Sequence, residues 1–110
     1  MLSKNNILGT IQGLAGSGGI DQVMSGASDT KGGNTAGISG LLGNLIGNLN
    51  KCAKDLKDCG DPELAGKVEA EVSALSGLQD KLLKNPTAAL RELGSLRGIK
   101  ERLLGCSKGQ

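Results

Sequence analysis

Phenylalanine, tyrosine, tryptophan and histidine are all absent from the 110 residues. Without histidine the chain has no imidazole base, which excludes Ser-His-Asp and Cys-His catalysis and every histidine metal ligand. The expectation is a non-enzymatic protein with no catalytic residue, metal, cofactor or small-molecule substrate. Without aromatic rings there is no platform on which bases stack. A net charge of +2, from 13 basic and 11 acidic side chains, gives no general pull toward a polyanion, so nucleic acid is not an expected partner. Long hydrophobic runs are lacking too. The most apolar region, from Ile38 to Leu49, is broken by Gly40, Gly43, Asn44, Gly47 and Asn48, far short of the ~20 apolar residues a membrane crossing needs. Met1 to Leu8 has no continuous apolar stretch of the secretory kind behind Lys4.

What remains is 37% hydrophobic residues and 19 glycines. A core must come from Leu, Ile, Val, Ala, Met and Cys alone, and a core that small predicts self-association or a partner helix. Charge and glycine divide the chain in opposite senses. Residues 1–50 hold four of the 24 charged side chains and 12 of the 19 glycines. Residues 1–37 therefore read as a flexible Gly/Ser/Asn-rich region, its linker-like part running from Gly16 to Gly37. Ile7, Leu8, Ile11 and Leu14 allow a short amphipathic helix at 5–15.

Residues 38–110 read as a helical domain. Ile38, Leu42, Leu45, Leu49, Cys52, Leu56 and Cys59 recur in steps of four and three, predicting a helix at about 38–59. Gly60 is a suitable left-handed stop. Asp61-Pro62-Glu63 then supplies a cap, a proline whose N–H is not needed, and a carboxylate for the positive end of a helix at 62–84. Asn85-Pro86 repeats the signal for a third helix at 86–104, with Ala89, Leu90, Leu93, Leu96, Ile99 and Leu103 as its stripe. The fold class is all-α: a helical hairpin or three-helix bundle preceded by the flexible region.

Glycines Gly40, Gly43 and Gly47 share the face opposite the first stripe. With Ile38, Leu42, Leu45, Leu49 and Leu56 they make the candidate assembly face. Seven residues of helix separate Cys52 from Cys59 by about 10.5 Å, too far for a disulfide. Pairing of Cys59 or Cys52 with Cys106 stays open, as in a small disulfide-stapled secreted domain, beside three buried or unpaired thiols. Residues 84–110 carry six basic and two acidic side chains, which leaves contact with a membrane surface as an alternative role for an amphipathic, membrane-perturbing protein.

The stretch Asp80-Lys81-Leu82-Leu83-Lys84-Asn85-Pro86-Thr87-Ala88-Ala89-Leu90 resembles the helix–turn–helix junction of type III secretion needle subunits. In the whole chain, the absence of aromatics, the flexible first part and the helical second part resemble harpin-like exported proteins. The resemblance implies an exported filament or secretion-accessory subunit, secreted by a signal-peptide-independent route or cytoplasmic before export. It also implies that Asn85-Pro86 is the hairpin turn and that Leu90 and Leu93 lie on the returning helix.

Overall fold

In the computed structural model the described residues, 4–16, 18–29 and 35–107, are helical apart from short turns and contain no strand. The helices are α1 (Lys4–Ala15), α2 (Ile20–Asp29), α3 (Thr35–Asp58), α4 (Pro62–Lys84), α5 (Pro86–Glu92) and α6 (Leu96–Ser107), with one 3-10 turn at Leu93–Ser95. The fold is all-α, built around the antiparallel α3–α4 hairpin, with α1 laid on α6 and α3, and α2 on α3 and α6.

The hairpin turn follows from its residues. Gly60 takes φ +90°, a conformation costly for any side chain. Its N–H donates to the Lys57 carbonyl at 3.0 Å, and that of Asp61 to the Leu56 carbonyl at 2.9 Å, a Schellman ending. Asp61 starts α4 by accepting the Leu64 N–H on Oδ1 at 3.1 Å, with Pro62 in the first turn. Asn85 serves two helices. Its N–H closes α4 onto the Lys81 carbonyl at 2.6 Å, and its side chain accepts the Ala88 N–H at the start of α5.

Two expectations differ from the structure. The third helix is not continuous from 86 to 104: it tightens into the 3-10 turn around Gly94, where Ser95 Oγ donates to the Glu92 carbonyl at 2.7 Å. The apolar stripe survives because Leu93, Leu96 and Ile99 are spaced by three, which suits a turn of three residues. The tract from Gly16 to Gly37, expected as a linker, contains α2, whose Ile20 and Val23 are fully buried. Ile20, Val23 and Met24 have helical spacing, but a stripe this short holds only because α3 and α6 offer it a surface. Residues 1–3, 17 and 30–34 of the region expected to be flexible lie outside the described residues.

Candidate interaction site

The expected assembly face is used by the chain itself. Ile38, Leu42, Leu45, Leu49 and Leu56 are each at most 2% exposed. They lie under α4, α1 and α2, which pack on α3. The stripe is covered because the first 29 residues contribute Ile7, Leu8, Ile11, Leu14, Ile20 and Val23 to the same core. Of the three glycines behind it, Gly43 comes close to a neighbouring helix and Gly40 and Gly47 do not. A Cβ at Gly40 or Gly47 would meet nothing within 4 Å, and at Gly43 it would meet Gln79 Nε2 at 3.2 Å. Gly43 makes room for the Gln79 amide, which donates to the Ser39 carbonyl at 3.0 Å and pins α4 to the start of α3. Nothing in the sequence pattern singles out Gln79, because its role depends on the pairing of the two helices.

None of the three cysteines is in a disulfide. Cys52 and Cys106 are buried, Cys59 is exposed, and neither Cys59–Cys106 nor Cys52–Cys106 is joined. Burial pushes the Cys52 thiol above its ordinary pKa, with the Asp55 carboxylate adding to the rise. Burial raises that of Cys106 as well. Both are therefore poor nucleophiles at neutral pH. No cluster of three or more Cys, Asp or Glu able to hold a metal ion occurs among the described residues.

Three of the basic side chains from residue 84 onward have an acidic neighbour, two of them across helices. Lys100 Nζ lies 2.8 Å from Asp21 of α2, Arg102 Nε 2.8 Å from the buried Glu71 of α4, and Lys84 Nζ 3.5 Å from Asp80. No helix among the described residues is long and apolar enough to cross a membrane.

A groove of about 630 Å³ runs along α4. Its lining includes Leu78, Ala74, Gly77 and Gly94, and a Cβ added at either glycine would meet nothing. Lys81 and Glu92 close one side with an ion pair of 2.7 Å, and Arg91 stands at the rim. No ion pair of Arg91 occurs among the described residues. On the other flank of α4 is Leu83, a large hydrophobic side chain that is 70% exposed. At about 100° per residue, Leu83 points about 180° around α4 from Ala74 of the groove. In the sequence Gly77 is visible only as a weak point in a helix. Its part in a groove depends on α5 folding back beside it.

Comparison of the chain with protein-family models, curated proteins and solved structures finds no match.

Proposed function

We propose that this chain is a non-enzymatic helical assembly protein that associates head to tail with copies of itself. The observation that carries the reading is the knob and the hole on opposite flanks of α4: exposed Leu83 on one side and the Leu78-lined groove on the other. Either feature alone is ordinary on a protein surface. Together they are self-complementary without being symmetric, and an interface between unlike patches leaves each added copy with one patch still open. Such contacts form rings or filaments. An exported filament or secretion-accessory role, as the Asp80–Leu90 resemblance implies, falls within this reading.

Sedimentation velocity over a concentration series tests it. Self-association is expected for the native chain and is lost in Leu83→Asp, which removes the knob, and in Gly77→Leu, which fills the hole. Mixing these two variants restores one intact interface and produces a dimer that grows no further. A native chain that stays monomeric to several hundred micromolar sinks the proposal. Release of liposome contents by that monomer would favour the membrane-perturbing reading in its place.

A further inference from the structure

We infer that Ser95 is the positioning residue of the groove: its hydroxyl holds residues 93–95 in the tighter winding, and that winding sets Arg91 and Glu92 beside α4. The inference rests on the head-to-tail reading and names what shapes its hole. In an α-helix the Leu96 N–H would reach the Glu92 carbonyl, four residues back. Here it donates to the carbonyls of Leu93 and Gly94 instead, and the Glu92 carbonyl accepts Ser95 Oγ at 2.7 Å. The side chain thus occupies the acceptor that the wider winding would use, which is how serine competes with a helix. Proline and glycine do not account for the turn. The two prolines, Pro62 and Pro86, lie elsewhere. Gly60 alone of the described glycines has a positive φ, and a Cβ at Gly94 would meet nothing.

The winding matters because of what stands on either side of it. A 3-10 turn advances about 120° and about 2.0 Å per residue, against about 100° and about 1.5 Å in an α-helix, so three residues differ by about 60° and about 1.5 Å. On the far side α6 is fixed, with Leu96, Ile99 and Leu103 all buried. The difference falls on α5, which is only seven residues long. On a helix about 10–12 Å across, 60° carries the outer end of a side chain about 5 Å. That is enough to undo the 2.7 Å pair of Glu92 with Lys81 and to shift Arg91 from its place at the groove. With the 3-10 winding Leu93 and Leu96 stand on one face and both are buried. Gly77 and Leu78 of α4 then line the groove together with Arg91, Glu92, Gly94 and Ser95.

Nuclear magnetic resonance couplings through hydrogen bonds, recorded on dilute monomer of the full chain, read the winding directly. In the native chain the Leu96 amide couples to the Leu93 carbonyl. In Ser95→Ala the coupling is expected to move to the Glu92 carbonyl, and Ser95→Thr, which keeps the hydroxyl, to retain the native pattern. Sedimentation velocity then reads the groove. Ser95→Ala is expected to weaken self-association by about fivefold or more, the worth of one hydrogen bond, yet to keep its knob. Mixed with Leu83→Asp, whose hole is intact, it forms a dimer; mixed with Gly77→Leu, whose hole is filled, it forms none. A Leu96 coupling that stays on Leu93 in Ser95→Ala, or a Ser95→Ala hole that still takes the knob of Gly77→Leu, overturns the inference. The couplings are read without assembly, so a native chain that stays monomeric sinks the head-to-tail reading while the role of Ser95 in the winding stands or falls by itself.

Discussion

At the scale of single residues, Asp61 does the most. One carboxylate oxygen caps α4 and the other holds Lys4 of α1, so a single side chain joins the hairpin turn to the N-terminal helix. The Lys4 ammonium, followed by the Leu64 N–H, holds its carboxyl below the usual carboxylate range. A carboxyl whose pKa is depressed by folding contributes stability that is complete above the unfolded value of about 4 and is lost as pH falls through the folded one. Urea midpoints measured from pH 7 down to pH 2 are therefore expected to fall at the acid end, and Asp61→Asn to flatten that part of the profile. Glu71 is another side chain held by one partner. It is 8% exposed and answered by Arg102, so Arg102→Ala leaves a buried carboxylate without its partner. A loss of roughly 1–3 kcal/mol is expected by chemical denaturation, with Glu71→Gln in the same background recovering part of it.

At the scale of elements, the glycines sort into those the fold needs and those it does not. Gly60 needs its positive φ, and a Cβ at Gly19 would run into the Leu14 carbonyl and the Leu45 side chain. Gly40 and Gly47 in α3 have neither constraint. Gly40→Ala and Gly47→Ala are expected to raise stability by about 0.5–1 kcal/mol each, whereas Gly60→Ala lowers it by about 1–2 kcal/mol. Gly19→Ala is expected to be worse still, because backbone must move. Urea titrations of the four variants give the order. The elements most legible in the sequence were those with their own punctuation. Asp61-Pro62 and Asn85-Pro86 carry a cap and a proline that act locally whatever lies around them. The 3-10 turn at Leu93–Ser95 was not legible, because a run of leucines spaced by three and four fits both windings.

At the scale of the whole molecule, a core without one aromatic ring draws on residues from Ile7 to Cys106. The radius of gyration is 13.8 Å, close to the roughly 13 Å expected of a compact chain of this size. Leu49 is fully buried near the middle of α3, the helix on which α1, α2 and α4 all pack. Leu49→Ala is expected to cost about 2–5 kcal/mol, a large part of what so small a core supplies. Thermal melts followed by far-ultraviolet circular dichroism would show the drop.

Period and punctuation in the sequence determined the all-α class, the stripe from Ile38 to Leu56 and the breaks at Gly60 and Asn85, because helical spacing and caps act over four or five neighbouring residues. What covers that stripe was decided only by the tertiary structure. Ile20 and Val23 sit among glycines and polar residues whose composition reads as a linker, and Ile7 and Ile11 belong to a helix too short to stand alone. They become core only where α3 and α6 present a surface that offsets the entropy of ordering them. The groove and the exposed Leu83 belong to the same category. A leucine on a helix is the same letter whether it faces a neighbour or water, and long-range packing alone chooses between the two.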